Sequence, residues 1–189
     1  MSPMSWSPDG KFIVYWVRDP KTASDQWVIP LTGDRKSFPI LHSSFSERWA
    51  EISPDGKWIA YTSNETGRYE IYVTSFPNGE GKWQLSTNGG SFPRWRADGR
   101  ELYFLNNSSL GKLMATDIRV TGSSLQPAVP RALFDSGYVD AGHSVNYHPY
   151  AVSPDGQRFL IPRPEGASTE AAPPPITVVL NWAAALRGQ

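Results

Sequence analysis

Four stretches of the chain repeat one arrangement of apolar and polar positions. They are SWSPDGKFIVYW at 5–16, EISPDGKWIAYT at 51–62, RWRADGRELYFL at 94–105 and AVSPDGQRFLIP at 151–162. Counted from the aspartate of each copy, the third residue before it is Trp6, Ile52, Trp95 or Val152. The fourth after it is Ile13, Ile59, Leu102 or Phe159, and the sixth is Tyr15, Tyr61, Phe104 or Ile161. Apolar residues two positions apart lie on one face of a strand. The polar residues between the two apolar runs are therefore a turn, and each copy predicts strand, tight turn, strand.

The turn residues fit that reading. Pro presets φ at the first central position, Asp tolerates the second and bonds to nearby backbone, and Gly supplies a positive φ. This combination suits a hairpin closed by a type I turn and a bulge. The aspartates Asp9, Asp55, Asp98 and Asp155 lie 46, 43 and 57 residues apart, and Gly follows every one of them. The third copy has Arg-Ala where the others have Ser-Pro. Turn chemistry accounts for these carboxylates without a metal or an acid–base role.

A third apolar stretch follows each copy: QWVIPL (26–31), EIYVTSF (70–76), KLMATDI (112–118) and ITVVLNW (176–182). A fourth follows three of them: FPIL (38–41), WQLS (83–86) and RALF (131–134). Four short antiparallel strands in a unit of roughly 40–45 residues predict a β-propeller blade. The expected fold is all-β, one propeller domain over 1–189. Its four blades fall at about 3–41, 48–86, 92–134 and 147–182, the last incomplete. No segment has sustained helical periodicity; at most AAALRG forms one turn.

Composition narrows the partners. The formal net charge is zero, which gives no electrostatic reason to expect nucleic acid or an anionic membrane. There is no cysteine, so disulfides and thiolate metal sites are excluded. No apolar run is long enough to span a bilayer. The N-terminus, MSPMSWSPDGK, lacks a charged-then-apolar signal pattern. Eight each of Trp, Tyr and Phe, with 16 Gly and 17 Pro, favour short strands joined by many turns.

The SPDGK-apolar-apolar-Tyr pattern resembles the TolB-like propeller repeat, a WD-like blade with a Pro-Asp motif. The final stretch, with ITVVLNW, is similar to the C-terminal propellers of bacterial serine/threonine kinases and related sensor proteins. No Gly-rich loop, HRD or DFG motif occurs in these residues. The resemblance implies a binding, scaffold or sensor module and an extracytoplasmic, periplasmic location. It also implies that a strand from the N-terminus completes the last blade, yet the first strand begins immediately and leaves none to spare. Four blades close alone, pair with a second chain into an eight-bladed ring, or remain an arc. Open strand edges and uncovered aromatic faces favour association, so the expected partner is a protein or a second copy in a homodimer.

In a propeller the strand before SPDG lines the central channel. The loops leading into it, HSSFSERWAE (42–51), NGGSFPRW (88–95) and DAGHSVNYHPY (140–150), carry the candidate ligand-binding residues. These are Glu47, Arg48, Arg94, Asp140, His143, Asn146 and His148. Arg48 and Arg94 either point into the channel or pair with aspartates at the blade turns. Asp140, His143 and His148 supply donors for a divalent metal, although their spacing matches no strong metal motif and no cofactor is expected. Ser144 stands beside His143, but no G-x-S-x-G stretch occurs. The alternative to a binding module is an enzyme, a metal- or His-assisted hydrolase or lyase at the channel mouth near His143 and His148. The column aromatics Trp6, Trp58, Trp95, Tyr15, Tyr61 and Tyr103 are expected to pack between blades, and Trp49 and Trp83 to be exposed. PRPEGASTEAAPPP (162–175) and TGSSLQPAVP (121–130) read as long connections.

Overall fold

The computed structural model describes residues 1–107, 111–138 and 148–162. Among them are fifteen strands and no helix. The first sheet is β1 (Ser2–Trp6), β2 (Phe12–Asp19), β3 (Ala23–Pro30) and β4 (Phe38–Leu41), paired in chain order. The second repeats it with β5 (Glu47–Ile52), β6 (Trp58–Ser63), β7 (Glu70–Ser75) and β8 (Trp83–Gln84). The third holds β9 (Ser91–Trp95), β10 (Glu101–Leu105), β11 (Lys112–Thr121), β12 (Ser124–Pro127) and β13 (Arg131–Asp135). The fourth consists of β14 (Ala151–Val152) and β15 (Phe159–Leu160). All pairings are antiparallel. This is an all-β propeller architecture, with two four-stranded sheets, one of five strands and one of which two strands are described.

The SPDG turns close the first hairpin of every sheet by one mechanism. Gly10, Gly56, Gly99 and Gly156 have φ of 73, 71, 71 and 71°, a region costly for any side chain. Each glycine N–H donates to the carbonyl three residues back. Each aspartate accepts the backbone N–H two residues on: Lys11 and Lys57 at 3.1 Å, Arg100 and Gln157 at 3.0 Å. The serine hydroxyls of Ser7, Ser53 and Ser153 donate to the aspartate and accept the N–H five residues on. Where Arg96 replaces that serine, its guanidinium grips Asp98 with two 2.8 Å bonds.

Successive sheets pack face to face, and the repeat columns form the seams. Val14 and Val28 meet Ile52, Ile59, Tyr61 and Tyr72 of the second sheet. Trp58, Ala60, Ile71 and Val73 meet Trp95, Leu102 and Phe104 of the third. Tyr103, Leu113 and Ala115 meet Tyr150, Val152, Phe159 and Ile161. Each fully buried side chain of this size contributes about 1.5–3 kcal/mol.

Among the described residues, nothing covers the two outer faces. Ile52 and Trp95 are 5% and 7% exposed, but Trp6 in the same column is 63% exposed. Ile13 and Tyr15 are likewise only partly buried. At the other end Leu160, in the column of the buried Val14, Ala60 and Tyr103, is 77% exposed. The expectation that Trp6 packs between blades therefore fails, because no sheet lies against it among the described residues.

Three other expectations are corrected. Trp49 is buried, 4% exposed, and Trp83 is partly buried against the second seam. The stretch 121–130 is not a bare connection. It contains β12, which pairs with the far half of the long β11, while β13 pairs with the near half. The fourth blade, expected from about 147, has its first described strand only at Ala151–Val152. The strand expected at 176–182 lies outside the described residues.

Candidate functional site

The SPDG turns occupy one end of the sheets. The loops that carry the candidate residues occupy the other. There each of the first three inner strands has an irregularity: pairing shifts between Pro3 and Ser5, between Arg48 and Glu51, and opposite Tyr103–Leu105. Trp49 and Phe92, each six residues before the turn aspartate, have φ of 50 and 61°. Bulky side chains rarely adopt this conformation. Their rings pack together at 4.1 Å between centroids, in the core that also holds Tyr150.

Below the irregularity, the residue four before the aspartate bonds to the next sheet. Ser5 Oγ accepts Ile52 N–H at 3.0 Å. Glu51 accepts Trp95 N–H through Oε2 at 2.9 Å and pairs with Arg94 Nη1 through Oε1 at 2.9 Å. Trp95 Nε1–H donates back to Glu51 O at 3.1 Å. Arg94 Nε–H reaches Tyr150 O at 3.4 Å. Burial raises the Glu51 pKa, and the Arg94 guanidinium and Trp95 N–H oppose it. Arg94 therefore neither stands free in the channel nor pairs with a turn aspartate. It joins the second, third and fourth sheets.

His148 lies close to Arg94. Burial, and then the Arg94 charge, push its pKa down to about 3, against weaker contributions from the Pro93 and Trp49 backbone. Its imidazole is neutral at pH 7, and Nε2 has no hydrogen-bond partner among the described residues. Asp140, His143 and Asn146 lie outside the described residues. The metal reading, which needs them, is neither assembled nor dismantled.

Glu47 sits elsewhere, 4% exposed between the first and second sheets. Ser43 Oγ–H donates to its Oε1, while Oε2 is buried without a partner among the described residues. Gln26 Nε2–H donates to its backbone oxygen at 2.9 Å. Burial first, then the Asp25 and Glu65 charges, push the Glu47 carboxyl up to about 7, against the Ser43 bonds. Asp25 accepts Thr22 Oγ1–H at 2.7 Å and lies 2.9 Å from His42 Nδ1. In the second sheet Glu70 plays the corresponding part, accepting Arg68 Nε–H at 2.7 Å, Gly89 N–H at 2.9 Å and the Ser86 hydroxyl. Both acids tie down the connection to the next sheet.

Arg48 is apart from all of these. Its guanidinium carbon lies 5.1 Å from the Trp49 ring centroid, at the wall of a cleft of about 500 Å³ between the first two sheets. The similarity of ERW and PRW misleads here. By the aspartate column Arg48 corresponds to Ser91, and Arg94 to Glu51. The same column was the signal that could have found Glu51. Nothing local in the sequence marks Asp25 or Trp16.

No family model matches the chain. It is 29% identical over 135 residues to the uncharacterized protein Atu1656 of Agrobacterium fabrum, covering 71% of this chain and 43% of that one. It is 31% identical over 99 residues to tricorn protease homolog 1 of Streptomyces coelicolor, covering 50% of this chain and 8% of that one. The chain thus spans less than half the length of either relative. The crystal structure of TolB from Acinetobacter baumannii superposes with a TM-score of 0.63 at 23% identity, over 87% of this chain and 38% of that one. The fold is a β-propeller of the TolB-like kind.

Proposed function

We propose that this chain is a binding or interaction module that associates with a second copy of itself through its open propeller faces. The observation that carries this reading is Trp6, 63% exposed in a column that is 5–7% exposed in the two sheets that follow. With Ile13 and Tyr15 it presents the apolar surface that, one blade later, is covered by a preceding sheet. Covering such a face is favourable by about 25 cal/mol per Å² of apolar surface. The resemblance to TolB supports an extracytoplasmic setting for it.

Light scattering coupled to size exclusion tests the reading. A particle near 42 kDa, twice 21.0 kDa, is expected for the wild type. Trp6→Ser is expected to return it to near 21 kDa with its fold intact. A wild-type particle of one chain at micromolar concentration refutes self-association.

A second reading, an enzyme at the channel mouth, is favoured by the neutral imidazole of His148 beside Arg94, whose Nε2 has no hydrogen-bond partner among the described residues. A homologue of tricorn protease among the relatives gives it a direction. Peptide or ester hydrolysis that disappears in His148→Gln and His143→Gln, with folding retained, is the result it requires.

A further inference from the structure

We propose that the cleft between the first and second sheets, at the end opposite the SPDG turns, binds a small oxyanion, a carboxylate or phosphate carried on a planar or apolar body. The cleft measures about 500 Å³, within the range that holds a small ligand. Arg18 and Arg48 line it from opposite sheets. Among the described residues neither guanidinium has a carboxylate partner. In the cleft at the turn end, by contrast, Arg96 is engaged by Asp98 and Glu101, and Asp55, Asp98 and Asp117 share the lining with the arginines.

Two of the three charged residues that line the cleft, Arg18 and Arg48, are positive. Arg48 is held on the Trp49 ring, which fixes its planar fork without occupying its N–H donors. Asn64 Oδ1 already accepts Ser46 N–H at 2.8 Å, so its amide N–H₂ is left to donate. The one carboxylate lining the cleft, Asp19, turns to its own loop and accepts Lys21 N–H at 2.7 Å. Two cations facing one cleft repel each other, and an anion between them converts that repulsion into two charge-assisted contacts. Trp16 and Tyr69 supply the flat walls for the rest of the ligand.

The indole N–H of Trp16 is buried without an acceptor among the described residues, so its proton resonance reports rearrangement beside the cleft. The test follows that resonance in ¹⁵N-labelled protein, assigned by its loss in Trp16→Phe. The probes are N-acetyl-phenylalanine, its neutral amide counterpart and inorganic phosphate. N-acetyl-phenylalanine is expected to shift the resonance saturably, and Arg18→Gln and Arg48→Gln each to weaken binding about tenfold. A matching shift with phosphate assigns the site to oxyanions in general; silence with phosphate assigns it to carboxylates. The proposal is overturned if neither anion shifts the resonance up to about 20 mM. Equal shifts with the neutral amide, or undiminished binding in both arginine variants, overturn it too. Arg18 is exposed, so its variant tests the site even if Arg48→Gln perturbs the fold. The outcome is independent of particle mass, so this site and self-association fail separately.

Discussion

The two ends of the propeller are built on opposite plans. At the turn end one device occurs four times: an aspartate accepts the N–H two residues on and a glycine takes positive φ. At the loop end each connection finds its own solution. The first uses His42, Thr22 and Asp25; the second uses Arg68, Ser86 and Glu70. Repetition at one end fixes what a blade is. Divergence at the other decides what each seam can hold, and the orphaned carboxylate oxygens of Asp25 and Glu47 are found there.

The comparison can be broken by substitution. The largest effect is expected at the polar ladder between sheets. Glu51→Ala leaves Arg94 partly buried without its carboxylate and is expected to cost roughly 3 kcal/mol in urea unfolding. A cost below about 1 kcal/mol removes the ladder from the stabilising contacts.

Next comes pH. Glu47 has its folded pKa raised from 4.5 to about 7, so its protonated form favours folding and stability falls as pH rises through that interval. The loss is roughly 3 kcal/mol at most, and Glu47→Gln is expected to flatten it. His148 runs the other way. Its folded pKa lies below 6.5, near 3, so stability falls as pH drops below 6.5. Urea midpoints from pH 4 to 8 for wild type, Glu47→Gln and His148→Phe separate the two slopes.

The smallest effects belong to the repeated end. Ser7→Ala and Ser53→Ala each remove hydrogen bonds to a turn that keeps its Asp and Gly, and each is expected to cost about 1 kcal/mol. Unequal costs, by more than about 1 kcal/mol, deny that these turns are one device.

These contrasts explain what could be read from the sequence. Asp9, Asp55, Asp98 and Asp155 with their glycines gave away the hairpins, because turn chemistry is local. Ile59, Tyr61, Leu102 and Phe104 gave away the seams through a two-residue period. Trp6 shares its column and is nevertheless exposed, because burial depends on a neighbouring sheet and not on the strand's own pattern. Glu47 and Arg94 stand out in the sequence as candidate ligand-binding residues, but the Asp25 charge that acts on Glu47 and the Glu51 carboxylate that pairs with Arg94 lie 22 and 43 residues away, beyond any local spacing around the two residues themselves. Arg18 was passed over because a lone surface arginine has no signature until the fold sets Arg48 beside the same cleft.

The ladder also gives the fold a direction. Ser5 accepts from Ile52, Glu51 accepts from Arg94, and Arg94 donates to Tyr150. Each of these contacts joins a residue to one later in the chain, so the sheets are linked in series like the teeth of a zip, and a cut between two of them is expected to leave one polar group without its mate.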